Sequence, residues 1–172
     1  FWNLLTLNLL TSRQLGRFFL EIKMINDNLK LRGDVAIVLK DKDGNIKDTR
    51  EITNLVVNTG LTFICARMAA ASAGVMSHMA VGSGTTSPAA GQTDLVSILG
   101  SREALDSTSA SSNTITFVSS FEAGEGTGAI TESGIFNGSS GSTMLARVTF
   151  PAVNKQADDT MSITHTITLT AS

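Results

Sequence analysis

The chain has 172 residues, a formal net charge of −2, 42% apolar but only 5% aromatic residues, and no Tyr. That length suits one domain that buries about two thirds of its unfolded surface. The weakly acidic balance lacks the basic footprint of a nucleic-acid binder. A single cysteine, Cys65, excludes an internal disulfide and a Cys-pair metal site, and the scarcity of aromatics argues against an aromatic-lined ligand pocket.

Residues 1–23, FWNLLTLNLLTSRQLGRFFLEIK, sit apart from the rest, and the first methionine of the chain is Met24. Arg13 and Arg17 follow the apolar run instead of preceding it, unlike a secretory signal. The run is broken by Thr6 and Asn8 and falls well short of the roughly 20 residues that span a bilayer. The segment reads as an upstream extension or leader ahead of a natural start at Met24, the alternative being a short amphipathic helix used in assembly. Residues 24–172 then form a single domain.

Residues 34–40, DVAIVLK, and 46–52 form two β-branched apolar runs about the turn Asp41-Lys42-Asp43-Gly44-Asn45. Asp-Gly supplies the positive φ that a tight hairpin needs. A calcium loop would need further carboxylates and a Glu where Arg50 stands, so the turn reads as a plain hairpin. Helical spacing of Leu61, Ile64, Cys65, Met68 and Ala69 predicts one helix over about 59–72, capped by Asn58 or Thr59, with Cys65 turned into the core as a small hydrophobe.

A short strand over 76–82 leads to the Gly-rich loop GSGTTSPAAGQ, residues 82–92. It lacks the Lys of a phosphate-binding Walker loop and the βαβ setting of a dinucleotide fingerprint, so Gly82 and Gly84 read as turn glycines. The polar tract 107–112 reads as an exposed loop or a flexible joint. Strand character resumes at 113–121. Glu122, Glu125 and Glu132 then gather around a Gly-rich turn, the arrangement that paired carboxylates of a glycosidase would use. No aromatic sugar platform accompanies them, and the three read as solvated turn carboxylates.

The last third is the clearest part. Between 160 and 170, Met161, Ile163, His165, Ile167 and Leu169 alternate with Ser and Thr, the period of a strand with one buried face. Runs 129–137 and 144–151 flank a Gly/Ser turn at 138–141, and with the final strand they suggest an antiparallel meander. His165 reads as a core or interface histidine; at a subunit contact its charge would make assembly pH-sensitive.

Four strings, MAVGSGTTSPAAGQTDL (79–95), GEGTGAITESGIFN (124–137), MLARVTF (144–150) and ITHTITL (163–169), together resemble a family of tailed-bacteriophage virion proteins. The opening MINDNLKLRGDVAIVLKDKDGNIKDT (24–49) and the VVNTGL before the helix are similar to the start of such proteins. The likeness spans nearly all of 24–172 and leaves 1–23 outside it. It implies a non-enzymatic structural protein of the virion, tail- or fibre-associated or a head-decoration protein, that assembles as a homotrimer with other phage structural proteins. Pattern and resemblance together predict an all-β antiparallel sandwich, Ig-like or jelly-roll-like, with one short helix. No catalytic, cofactor or metal residue is assigned, and neither nucleic acid nor membrane is expected as a partner. A reading of another class is a carbohydrate-binding or hydrolysing module at a fibre tip, acting on a host-surface glycan through Glu122, Glu125 and Glu132.

Overall fold

The computed structural model describes residues 29–69 and 74–171; the leader at 1–23 lies outside them. Strand β1 (Leu29–Lys40) and strand β2 (Ile46–Val56) form the expected hairpin. Its turn is closed by the Asp41 carboxylate, which accepts the amides of Asp43 and Asn45 at 2.9 Å each and also the Asn45 side chain. The Asn45 amide groups, first the side chain and then the backbone, hold the Asp41 carboxyl below its ordinary range.

Helix α1 (Asn58–Met68) follows at once. Its N-cap is Val57, without a side-chain capping bond, so neither Asn58 nor Thr59 plays the expected part. The Thr59 hydroxyl instead donates to the Met144 carbonyl at 2.9 Å, and the Asn58 amide to the Ala90 carbonyl at 2.8 Å. Both bonds tie the helix to its surroundings. Cys65 lies on the exposed side, contrary to expectation: Phe63 and Ile64 turn towards the core and leave Cys65 facing outward.

The remaining strands are β3 (His78–Gly82), β4 (Glu103–Ala104), β5 (Ser107–Ser111), β6 (Thr114–Phe121), β7 (Gly128–Phe136), β8 (Met144–Lys155) and β9 (Thr160–Ala171). All described pairings are antiparallel, in one nine-stranded sheet of order β4-β3-β7-β8-β2-β1-β9-β6-β5. The fold of the described residues is thus antiparallel β with one short helix, in a curled sheet. Strand β2 makes the curl. Most of its length pairs with β1, but Leu55 and Val56 at its end pair with Arg147 and Ala146 of β8. Two halves therefore face one another across the core, where Val35, Ile37, Phe117 and Ile163 of one half meet Met79, Val81, Ile130 and Val148 of the other.

The tract expected as a loop or joint is strand β5, paired residue for residue with β6. Its polarity reflects exposure on both faces. The meander is also corrected. β7 and β8 form the hairpin about 138–141, but β9 crosses to the other half and pairs with β1 and β6. A charged clip holds the crossing: Asp159 accepts Lys47 Nζ at 2.6 Å and the Gln156 amide at 2.8 Å, binding the β8–β9 turn to β2. β9 itself keeps its predicted alternation, with Met161, Ile163, His165 and Ile167 buried.

Candidate functional site

The chemistry-bearing side chains gather in two places, and both are internal. The first lies on the outer side of β7 and β8. In the hairpin register Gly134 faces Arg147 and Glu132 faces Thr149, so Glu132 and Arg147 are diagonal neighbours on one face. The chain between β3 and β4, residues 83–102, folds back over that face. It leaves both side chains 0% exposed, so the reading of Glu132 as a solvated turn carboxylate is overturned.

Glu132 is fully engaged. Its Oε1 accepts the amides of Gly84 at 2.9 Å and Ser97 at 2.8 Å; its Oε2 accepts the Val96 amide at 3.1 Å and Arg147 Nε at 2.8 Å. Arg147 Nη2 stands 2.7 Å from the same oxygen, while Nη1 donates to the Thr86 carbonyl and to Gln92 Oε1, each at 2.9 Å. Burial pushes the carboxyl's pKa up. The amides of Ser97 and Val96, the guanidinium and the Gly84 amide outweigh it and hold the group below its ordinary value.

Gly82 and Gly84 are needed for this approach, not for turns. A Cβ on either would sit within 2.5 Å of Glu132 Oε1. The loop's amides do form an anion cradle, but the protein's own carboxylate fills it. A second clamp fixes the far end of the loop: Arg102 stacks 3.7 Å from the Phe136 ring centroid, donates to Ser142 Oγ at 2.6 Å and pairs with Asp94 at 2.9 Å.

The second place is the core. His165 of β9 lies between Asn54 of β2, whose Nδ2 stands 3.1 Å from His165 Nδ1, and Ser133 of β7, whose Oγ is 3.1 Å from Nε2. Sequence reasoning missed this Ser-His-Asn constellation because its members come from three strands. With the Asn54 amide nitrogen facing Nδ1, the matching tautomer is the one that accepts there and carries its proton on Nε2 towards Ser133, the reverse of an activated serine. Ser133 and His165 are fully buried and line none of the surface depressions described below. The trio is a strut across the core. Desolvation drives the His165 pKa down to about 3.

Glu122 and Glu125 stay at the turn, where Glu125 accepts the Glu122 amide at 2.8 Å. The buried Lys155 ammonium donates to the Glu122 carbonyl at 2.7 Å, and burial lowers its pKa. The three glutamates of the glycosidase reading are therefore not one acid-base set, because both Glu132 oxygens are committed to the latch formed by the loop amides and Arg147. Among the described residues no group of three or more His, Cys, Asp or Glu is placed to hold a metal ion, and no helix is long and apolar enough to cross a membrane.

Two depressions on the surface of the described residues are the most relevant. A polar one of about 420 Å³ on the outer side of β1, β2 and β9 is lined by Arg32, Asp34, Glu51, Thr53, Thr164 and Thr166. An apolar groove of about 290 Å³ runs between α1 and the edge of β6 and β9, with Phe63, Ile64, Val75, Ile115, Phe117 and Leu169 in its walls. No protein-family model, curated protein or solved structure matches the chain.

Two predictions follow from the buried groups. Glu132→Leu leaves an uncompensated guanidinium under the loop and lowers unfolding free energy by about 3–5 kcal/mol in urea titration; adding Arg147→Met recovers part of that loss. Recovery of nothing by the double variant would show that the two side chains act separately. On acidification, unfolded chains protonate His165 near its ordinary pKa of 6.5 while the folded chain resists until about 3. Stability is therefore intact above that ordinary value and falls by roughly 1.4 kcal/mol per pH unit from there towards the folded pKa. Glu132 and Asp159, both held low, add to the fall once the pH drops through the ordinary carboxylate range and on towards their folded values. In His165→Gln the slope between pH 6 and pH 5 disappears; an unchanged slope would assign the acid sensitivity elsewhere.

Proposed function

We propose that the chain is a non-enzymatic structural component of a tailed-bacteriophage virion, tail- or fibre-associated, built to assemble with copies of itself and with other virion proteins through its sheet surfaces. The observation that carries this reading is the allocation of its chemistry. Glu132, Arg147 and His165 are spent on internal bonds, while the outer side of β9 and β6 presents hydroxyls in paired rows, Thr166 beside Thr116 and Thr168 beside Thr114. Such a face, small and nearly uncharged, suits a broad wet contact between subunits.

The resemblance of 24–172 to virion proteins points the same way and gives the quoted strings structural work. GEGTGAITESGIFN contributes Glu132 and Ser133, and MLARVTF contributes Arg147. The two halves of the sheet, facing across one core, support a sandwich as the finer description of the fold. A head-decoration role shares these features and differs only in position on the particle.

The test is peptide mass spectrometry on gradient-purified phage particles produced by cells that carry this gene. Peptides from residues 29–171 in stoichiometric amounts in the particle fraction are expected, and separated heads and tails then give the position. Their confinement to the soluble lysate would overturn the reading.

A further inference from the structure

We infer that β5, residues Ser107–Ser111, is a self-association edge that pairs antiparallel with β5 of a second copy about a two-fold axis at Ser109. The inference deepens the proposed function, on which it rests, by naming the joint. β5 is the last strand of the sheet: one side pairs with β6 and the other, among the described residues, pairs with nothing. All five of its residues are exposed.

Free strand edges are templates for another strand, and folded proteins guard those they must keep single with charge, proline, bulges or shortness. The other edges of this sheet are guarded. β4 at the opposite end has two residues. The stretch of β2 before its junction with β8 carries Lys47, Asp48, Arg50 and Glu51. β5 reads STSAS, with no charge and no proline, and its pairing with β6 runs without a register shift.

The strand also matches itself. An axis at Ser109 sets Ser107 opposite Ser111 of the second copy and Thr108 opposite Ala110, so small residues meet small residues and no like charges face each other. Five paired residues alone fall short of the roughly 1,000 Å² that a specific interface buries. The apolar groove adjoins this edge, since Thr108 of β5 lies in its wall beside Ile115 and Phe117 and Val75 in the same groove is 61% exposed; the joint is weak taken singly and gains strength by repetition in an assembly. A second copy on the edge covers the strand edge and by symmetry brings its own groove alongside on the same face of the extended sheet. The joint is pairwise, so an assembly of trimers, as the resemblance implies, would be linked through it into even-numbered particles.

Disulfide trapping in the full chain tests the axis, with exposed Cys65 first changed to Ser. Ser109→Cys places two thiols directly opposite each other, within disulfide reach, and mild oxidation converts most of the protein to a covalent dimer on a non-reducing gel. Ser107→Cys alone places its thiols about 13 Å apart along the strands, at 3.3 Å per residue, and gives at least tenfold less dimer; mixing it with Ser111→Cys restores the band. Ser109→Lys sets two ammonium groups face to face and weakens association at least tenfold by light scattering, with the circular dichroism spectrum unchanged. An unmodified chain that associates while these variants neither cross-link at 109 nor dissociate would overturn the β5 joint and leave self-assembly standing. An unmodified chain that is monomeric at every concentration would overturn both. Equal cross-linking at 107 and 109 would indicate random collision and also overturn the joint.

Discussion

The structure depends on a carboxylate that never meets solvent. Glu132 and Arg147 form a buried pair whose desolvation is offset only because every strong hydrogen-bonding direction of the carboxylate is used, by three loop amides and the guanidinium. Two hydrophobic residues of similar volume would fill the space but leave the three loop amides without an acceptor. They would not say where a polar, glycine-rich loop should lie. The pair does, because its bonds form only when residues 84, 96 and 97 come to the same point, and Gly82 and Gly84 are the residues that let them come.

The loop's position explains the burial of the sheet beneath it. β7 from Glu132 to Phe136 and β8 from Met144 to Val148 are buried on both faces, which antiparallel strands rarely are unless something covers them. Residues 83–102 are the cover, with Leu95 packed against Phe136, Ala80 and Met144 in a small core of its own. On the inner face, His165 links β9 to β2 and β7, one strand from each region of the curl. Both polar elements fix relative placement and offer no open site, and the surface of the described residues is left to strand edges, hydroxyl rows, a polar depression and an apolar groove.

Much of this fold was legible in the sequence. The alternation of β9, the Asp-Gly hairpin, the Gly/Ser turn at 138–141 and the single helix depend on local period and turn chemistry, which neighbouring residues carry. Pairing partners were not legible, and β9, next to β8 in the chain, lies across the molecule from it. Cys65 and the Ser107–Ser111 tract were misread for one shared reason. Burial is set by what packs on an element, and among the described residues neither Cys65 nor the edge strand is covered on its outer side. The latch did leave a trace. Once the turn at 138–141 is placed, hairpin register puts Glu132 diagonal to Arg147 in strands otherwise rich in apolar residues, and a charged pair in that setting is a buried pair. His165 carried only half of its signal, since its apolar face predicted burial while Asn54 and Ser133 stand 111 and 32 residues away from it.

The central claim, that a buried carboxylate holds the loop, is tested most directly by amide hydrogen exchange at Gly84, Val96 and Ser97. If Glu132 binds these amides, they exchange only through unfolding and are protected as strongly as the core strand amides of β9. Exchange of all three at the rate of an open loop, while β9 stays protected, would contradict the account.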